Sequence, residues 1–195
     1  MKIAILALQG AFFEHQQMFG KLGAETCLIR NLNDWQAFVS GEREGLGLCL
    51  PGGESTAMMK IMNDEGLLAP IRQAIVDGLP TFGTCAGMIL LDDQHLRCMD
   101  VTVLRNAYGR QLGSFHALGS FKGITDGDSS EGLLPMTFIR APYIERCGKE
   151  VEVLSVLDDH IIAARQGKML VCSFHPELTD DTRVHQYFLS LSAES

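Results

Sequence analysis

The sequence predicts a single α/β domain over residues 1–195, with an open, mostly parallel mixed sheet flanked by helices on both faces. In the first half, short apolar segments alternate with segments of helical periodicity, as is typical of parallel strands joined by crossover helices. In the second half, strand-like segments follow one another with few helices between them. This change indicates an antiparallel or mixed extension of the same sheet. The length of 195 residues favours one domain over two.

The first half of the chain contains four predicted strands, each a short apolar run bounded by Gly, Pro or polar residues. These strands cover residues 2–8, 26–30, 46–50 and 81–83. Apolar residues recur at helical spacing between Phe12 and Leu22 and between Met58 and Leu67. A helix is therefore expected after the first strand and another after the third.

The second half contains six further predicted strands, at residues 99–104, 114–121, 136–140, 151–156, 161–165 and 169–174. A last helix is predicted over about residues 180–191, because Thr179 and Asp180 can cap its N-terminus. The polar segments 41–45 and 125–132 are expected to be exposed loops.

Charge and hydropathy exclude several classes of protein. The chain has a net charge of −8 and an isoelectric point near 5.2, so it is negatively charged at neutral pH. Because that charge repels polyanions, neither nucleic acid nor an anionic membrane surface is an expected partner. The apolar runs are far shorter than the roughly 20 residues that cross a bilayer. The N-terminal segment MKIAILALQG lacks a small-residue cleavage pattern, so it is interpreted as a strand and not as a signal peptide.

The six cysteines are unevenly spaced and form no C-x-x-C pair, so neither a zinc site nor any other metal site is expected. Cys27, Cys49 and Cys172 lie in apolar, strand-like runs, where a thiol behaves as a small hydrophobic group. A chain of this size does not need disulfides, and the pattern suits the reducing cytosol. A cytoplasmic location is therefore expected.

The strongest local motif is Gly83-Thr84-Cys85-Ala86-Gly87, which follows a predicted strand and precedes an apolar run that can begin a helix. Its form, G-x-C-x-G, is that of a nucleophile elbow, in which a strained turn exposes the nucleophile. A helix N-terminus favours the thiolate, which is the reactive form of Cys85. Alone, so short a motif occurs about as often around a structural cysteine, so other residues must decide.

A second motif places His175 at the end of an apolar strand and Glu177 two residues later, with Pro176 between them. The proline restrains the backbone of its neighbour, so both side chains can point to one side. In that arrangement His175 takes a proton from Cys85 and later returns it to the leaving group, while Glu177 orients the imidazole. A lone histidine at a strand end is more often a surface residue.

A third motif, Pro51-Gly52-Gly53-Glu54-Ser55, follows a predicted strand and leads into a helix. Its glycines allow backbone amides to face a pocket, so the N–H of Gly53 is a candidate oxyanion donor together with that of Ala86. The alternative is an ordinary turn followed by a helix cap. Ligands bind at the carboxyl ends of strands in open α/β sheets, which is where this loop and the cysteine elbow both lie.

The segments LQGAFFEH, LPGGEST, FGTCAG, RNAYGRQ, FIRAP and CSFHPELT resemble, in order, motifs of the glutaminase subunits of pyridoxal 5'-phosphate synthases. The resemblance spans nearly the whole chain. The G-x-C-x-G and H-P-E motifs give only the class, triad glutamine amidotransferases with a flavodoxin-like fold, and the other segments give the pathway. The resemblance implies hydrolysis of L-glutamine to L-glutamate and ammonia through a glutamyl thioester, with no organic cofactor and no metal.

The same resemblance implies a set of glutamine-binding positions: Gly53, Glu54, Ser55, Arg105, Ile139 and Arg140. An arginine can pair with the substrate α-carboxylate and a glutamate with its α-ammonium group. Which residue does so is left open by the sequence. The alternative for either arginine is an ordinary surface salt bridge.

The resemblance also implies a partner, a TIM-barrel synthase subunit that receives the ammonia. The segment LQGAFFEH and the helix after it resemble the region that docks on this partner, and they are also simply the first strand and helix of the fold. Two departures concern residues 91–101, which are short for the family and imply a short helix after Cys85, and residues 33–45, which are long.

Two alternatives remain. The first is a glutaminase that serves another synthase, such as that of the histidine pathway, which RNAYGRQ and LQGAFFEH argue against. The second is an inactive regulatory module with the same fold. The joint presence of Cys85, His175 and Glu177 argues against that module.

Overall fold

The structure is a computed structural model that describes residues 1–41, 45–105, 113–124 and 132–193. The strands are β1 (Lys2–Leu6), β2 (Glu25–Ile29), β3 (Leu46–Leu50), β4 (Thr81–Thr84), β5 (Val101–Leu104), β6 (Ser114–Ser120), β7 (Leu133–Ile139), β8 (Tyr143–Cys147), β9 (Glu152–Leu157), β10 (His160–Gln166) and β11 (Met169–Cys172). The helices are α1 (Phe12–Lys21), α2 (Leu32–Val39), α3 (Ser55–Asp64), α4 (Leu68–Val76), α5 (Ala86–Leu91) and α6 (Arg183–Ala193), with a short 3-10 helix at Pro176–Leu178.

The main sheet has the strand order β2-β1-β3-β4-β11-β10-β8-β5, and β9 pairs with β10 beside this row. The five strands from β2 to β11 are parallel, and the strands beyond β11 pair antiparallel. Strands β6 and β7 form a separate antiparallel pair. The α/β class with a mixed sheet, parallel in the part built from the first half of the chain, is confirmed.

The long crossover that returns β11 to the centre of the sheet positions the site. Strand β11 lies parallel to β4, and Cys172 is the register partner of Thr84. The carboxyl ends of the two strands are therefore side by side. The residues that follow them, Cys85 and His175, are brought to one edge of the sheet although 90 positions separate their numbers.

Helices cover both faces of the sheet, as predicted. On β1, Ala4 and Leu6 face a core that includes Trp35 of α2 and Met58 of α3. The alternate residues of β1 face the opposite core, which includes Phe19 of α1 and Phe188 of α6. A strand buried on both faces is nearly continuously apolar, which explains the sequence KIAIL. No helix in the described part of the chain is long and apolar enough to cross a membrane.

Besides the short 3-10 helix, three elements in the described part of the chain are absent from the sequence prediction: α2, α4 and β8. Helix α2 is only 8 residues long and buries two large side chains, too few to establish a helical period. Helix α4 contains Pro70, which suggests a break but lies in the first turn, where a missing N–H costs nothing. In β8 the exposed Glu145 and Arg146 hide the apolar pattern of a strand.

Several segments named in the sequence lie wholly or partly outside the described residues. They are residues 42–44 of the first polar loop, residues 125–131 of the second, and residues 106–111 of the RNAYGRQ motif. Helix α5 has 6 residues, in keeping with the short segment that follows Leu91.

Candidate active site

Cys85 occupies a strained turn between β4 and α5. Its φ of 47° and ψ of −101° lie in a region that side chains with a Cβ rarely adopt. Its N–H donates to the Cys172 carbonyl at 2.8 Å, which ties the turn to β11. A Cβ on Gly83 would lie 2.7 Å from the backbone of Gly87, and one on Gly87 would overlap the Leu50 carbonyl. Both glycines of G-x-C-x-G are therefore required by backbone contact.

His175 and Glu177 form a buried pair where β11 ends. His175 Nδ1 lies 2.7 Å from Glu177 Oε1, and the Glu177 side chain is fully shielded from solvent. Pro176 begins the short 3-10 helix, which turns the chain so that Glu177 lies behind the imidazole. The N–H of His175 donates to the Thr137 carbonyl at 2.8 Å, which fixes the backbone on β7 as well.

The ionisation of this pair follows from its hydrogen bonds. Burial alone lowers the pKa of His175, but hydrogen bonds with Cys85 and Glu177 raise it to about 10. Burial alone raises the pKa of Glu177, but the neighbouring His15 and the hydrogen bond from His175 leave it below its ordinary value. The pair is therefore an imidazolium and a carboxylate at neutral pH, with the imidazolium facing the cleft that Cys85 also lines.

A cleft of about 210 Å³ opens over Cys85 and His175. Its other lining residues are Gln9, Gly10, Ala11, Gly52, Gly53, Glu54, Ile139, Arg140 and Leu178. The volume is below the roughly 300–1,000 Å³ of pockets for drug-sized ligands, and it suits a ligand of amino-acid size.

Two loops pack together to form one wall of the cleft. The Ala11 N–H donates to the Gly52 carbonyl at 3.0 Å, and the Glu54 N–H donates to Gln9 Oε1 at 2.6 Å. A Cβ on Gly52 would overlap the ring of His175. The loop after β3 therefore has to carry glycine where it passes the imidazole.

Sequence reasoning missed the contribution of the first loop, through Gln9, Gly10 and Ala11, and that of Leu178. A signal for the loop was present, because β1 is parallel to β3 and the segments that follow parallel neighbours meet at one edge. Gly10 also has a positive φ of 92°, which a glycine after a strand commonly provides.

Glu54 caps helix α3 and holds Arg105. Its carboxylate accepts from the Ala57 N–H at 2.8 Å, and Arg105 Nη2 lies 3.0 Å from Glu54 Oε1. The N–H of Ala57, then that of Thr56, and the charge of Arg105 lower the pKa of this carboxyl although both side chains are half-exposed. Glu54 is thus an anion at the rim of the cleft.

The remaining candidate residues divide into two groups. Ile139 and Arg140 line the cleft, and the Ile139 carbonyl lies 3.9 Å from Cys85 Sγ. Arg105, Ser55 and Ala86 are not among the lining residues. Ser55 is buried, and its hydroxyl has no hydrogen-bond partner among the described residues. The two arginines therefore differ in position, since Arg140 lines the cleft and Arg105 does not, although both were predicted as glutamine-binding residues.

The chain matches the model of the SNO glutamine amidotransferase family over residues 5–194. It is 51% identical over 201 residues to a pyridoxal 5'-phosphate synthase subunit PdxT from Streptococcus pneumoniae, an alignment that covers 100% of this chain and 99% of the relative. A solved crystal structure of a glutamine amidotransferase is 39% identical, with a TM-score of 0.86 and 98% of each chain covered. The structure of PurLQS from Thermotoga maritima shares the fold, at 14% identity, a TM-score of 0.67 and 97% coverage of both chains.

Proposed function

The chain belongs to the SNO glutamine amidotransferase family, and from that premise we propose that it hydrolyses L-glutamine to L-glutamate and ammonia through Cys85, His175 and Glu177. One observation carries the proposal. Cys85 and His175 face the same cleft, where their interaction raises the pKa of the imidazole, and Nδ1 of His175 lies 2.7 Å from Glu177 Oε1. This is the relation of nucleophile, base and orienting carboxylate in a catalytic triad.

In the first half-reaction the thiolate of Cys85 attacks the side-chain carboxamide carbon of glutamine. The carbonyl π electrons move to oxygen, where the N–H groups of Gly53 and Ala86 are the proposed donors. Ala86 is the first residue of α5, so its N–H has no partner within the helix. The imidazolium of His175 gives its proton to the amide nitrogen. The C–N bond then breaks, ammonia departs, and a glutamyl thioester on Cys85 remains.

In the second half-reaction water attacks the thioester carbon. Neutral His175 takes a proton from that water, the C–S bond breaks, and glutamate leaves as the thiolate and imidazolium are restored. Glu177 stays ionised throughout and holds the imidazole in the tautomer and orientation that both proton transfers need.

For the amino-acid end of glutamine, the proposed partners are Glu54 for the α-ammonium group and Arg140 for the α-carboxylate. Both line the cleft. Arg105 is instead bonded to Glu54 and to the Thr56 hydroxyl, at 3.0 and 3.2 Å. Its role in the proposal is to hold Glu54 in place.

The proposed acceptor of the ammonia is the synthase subunit of a pyridoxal 5'-phosphate synthase. The Streptococcus pneumoniae relative is named as a subunit of that complex. Large exposed apolar side chains support a partner surface near the cleft. Phe13, on the first turn of α1, is 55% exposed, and Leu178, which lines the cleft, is 42% exposed. Such a partner would be a TIM-barrel subunit, as the family resemblance implies.

The test is glutamate and ammonia release from glutamine by the purified chain, alone and mixed with a pyridoxal 5'-phosphate synthase subunit from the same source. We expect release that rises on mixing and disappears in Cys85→Ala. If the rate of release does not change on mixing, glutaminase activity would be supported, but the proposal that this subunit receives the ammonia would be refuted. No release in either condition would instead favour an inactive binding module.

A further inference from the structure

A row of buried polar side chains lies behind the proposed triad, on residues that do not line the cleft. His15 of α1 lies with its Nε2 atom 3.4 Å from Glu177 Oε2 and 3.0 Å from the hydroxyl of Thr84. Its Nδ1 atom lies 2.9 Å from Nε2 of His185, on α6. His15, Thr84 and His185 are all fully buried.

The surroundings of the two histidines are otherwise apolar and aromatic. The rings of Phe82 and His15 pack in a T-shaped pair at a centroid distance of 5.8 Å, and the rings of Phe19 and His185 do the same at 4.9 Å. Buried polar groups cost free energy unless they are hydrogen-bonded, and phenylalanine or leucine would fill this space without that cost. The polar row therefore requires a reason beyond packing.

The carboxylate of Glu177 supplies that reason. His175 occupies Oε1, whereas Oε2 is buried and has no hydrogen bond of ordinary length within the described residues. His15 Nε2 is the imidazole nitrogen that faces it, slightly beyond that length. An N–H directed from His15 would stabilise the negative charge on Oε2 and restrict rotation of the carboxylate.

The hydrogen bonds select the tautomers. With a proton on Nε2, His15 faces two acceptors, Glu177 and Thr84, while its Nδ1 accepts from Nε2–H of His185. With a proton on Nδ1, a lone pair would face the carboxylate, and His185 would need its proton on Nδ1, a buried atom without a partner among the described residues. His185 Nδ1 has no partner among the described residues in either arrangement, so the choice rests on the carboxylate of Glu177. A carboxylate attracts an N–H and repels a lone pair, so the first arrangement is favoured.

Both histidines are neutral in this arrangement. Burial lowers the pKa of His15 although the charges of Glu177 and Glu14 raise it, and the charge of His175 lowers it further. Burial and then His15 lower the pKa of His185 well below its ordinary value. A neutral His15 can donate one N–H to Glu177 without itself competing with His175 for the charge.

We infer that His15 is a positioning residue for Glu177, and that His185 selects the His15 tautomer that this role requires. The inference rests on the proposed function, because it assigns the supports of the proposed triad. Glu177 is then held from two sides, by His175 through Oε1 and by His15 through Oε2. Helices α1 and α6 thereby contribute to orienting the imidazole although neither lines the site through these residues.

The kinetic test compares His15→Phe and His15→Gln in the complex with the synthase subunit. Phenylalanine keeps the ring and removes the donor, so kcat should fall by about tenfold or more, as when a group that orients a functional residue is removed, with KM changed less than threefold. The alkaline limb of the kcat profile should move to lower pH, because a Glu177 carboxylate free to rotate away from His175 would stabilise the imidazolium less. In His15→Gln the side-chain amide can place an N–H near the position of Nε2, so this variant should recover much of the kcat that His15→Phe loses.

His95→Phe is the matched control. His95 also pairs with a buried carboxylate, that of Asp92 at 2.8 Å, but it does not line the cleft. Its kinetics and pH profile should match those of the unmodified chain. If folded His15→Phe also matches in kcat and in the alkaline limb, the inference is overturned.

A measurement on the unmodified chain covers the case in which His15 variants do not fold. Nitrogen-15 NMR of the histidine rings should show His15 neutral and protonated on Nε2, and a proton on Nδ1 or a charged ring at neutral pH would overturn the inference. This measurement needs no activity. If the chain shows the expected tautomer but never releases glutamate, only the proposed function is refuted. If the chain is active through Cys85 but shows the other tautomer, only the role of His15 is refuted.

Discussion

At the scale of single residues, the backbone of Cys85 is the first feature to consider. A non-glycine residue at this φ and ψ costs on the order of 1–3 kcal/mol, which the surrounding structure must offset. The hydrogen bond to Cys172 and the close contacts of Gly83 and Gly87 hold the turn. The strain places Sγ at the cleft, where an unstrained turn would direct the side chain elsewhere.

This strain predicts an order of stabilities among nucleophile variants. Cys85→Ala should abolish glutamate release and leave the free energy of unfolding nearly unchanged, since a small residue replaces a small one at the same φ. Cys85→Gly should also be inactive yet more stable than Cys85→Ala by about 1 kcal/mol, because glycine adopts a positive φ without strain. Urea unfolding measures the difference. A glycine variant less stable than the alanine variant would show that the turn is not strained.

The pKa of His175 predicts the alkaline behaviour. Its value of about 10 in the folded chain exceeds the ordinary value near 6.5. The contribution of the protonated His175 to the stability of the folded chain is therefore complete below about pH 6.5, and it is lost as the pH rises through about 10. In the complex, kcat/KM for glutamine should hold up to near pH 10 and then fall. A fall centred near pH 7 would contradict the ion pair.

Glu177→Gln tests the source of that shift. Removing the carboxylate charge should lower the pKa of His175 and move the alkaline limb to lower pH. Activity should fall less than in His175→Asn, which loses the group that transfers protons. Glutamate release at several pH values measures both effects. If Glu177→Gln were less active than His175→Asn, the carboxylate would be doing more than orienting the imidazole.

At the scale of elements, the site is a meeting of loops that follow parallel strands. The loops after β1 and β3 are joined by two hydrogen bonds, and Gly52 passes directly under the His175 ring. Since no side chain fits between that backbone and the ring, the loop controls the position of the imidazole.

Gly52→Ala should therefore reduce kcat by about 100-fold or more, because displacements of about 1 Å in a catalytic group have effects of that size. The free energy of unfolding should fall by about 1–3 kcal/mol, the range for overpacking. Gly20→Ala is the control, because a Cβ at that position in α1 meets nothing within 4 Å. It should keep full activity and gain about 0.5–1 kcal/mol. Equal activities of the two variants would refute the contact at Gly52.

At the scale of the whole molecule, assembly of the site depends on β11. This strand lies near the end of the chain, yet it is inserted between β4 and β10. The proposed nucleophile and base come together only when the last third of the sequence has paired with the first half. Such non-local pairing slows folding, and it means that the proposed triad forms only after β11 has paired with β4.

The partner surface gives a prediction at the same scale. Phe13→Ser should weaken binding to the synthase subunit by tenfold or more, as expected for an aromatic anchor at an interface, without lowering the stability of the free chain. Val156→Ser is the control, because Val156 on β9 is similarly exposed, at 49%, and lies outside the cleft. Isothermal titration calorimetry measures both affinities. Equal affinities would remove Phe13 from the proposed interface.

The sequence by itself predicted the alternating α/β organisation and the residue types of the proposed triad. Both are encoded locally. Apolar periodicity reports which faces of a segment are buried, and the five residues around Cys85 contain the glycines that its turn requires. The pair of His175 and Glu177 is likewise contained in three consecutive positions. Short-range patterns of this kind reflect backbone conformations, which depend on near neighbours.

The tertiary structure alone decided which distant residues meet. His15 and His185 are 170 positions apart and bonded at 2.9 Å, and Gln9 reaches Glu54 across 45 positions. Arg105 pairs with Glu54, while Arg140 lines the cleft, although both are arginines that end or follow a strand. Strand order and register set these distances, and they result from packing the whole sheet against its helices. No local pattern carries that information.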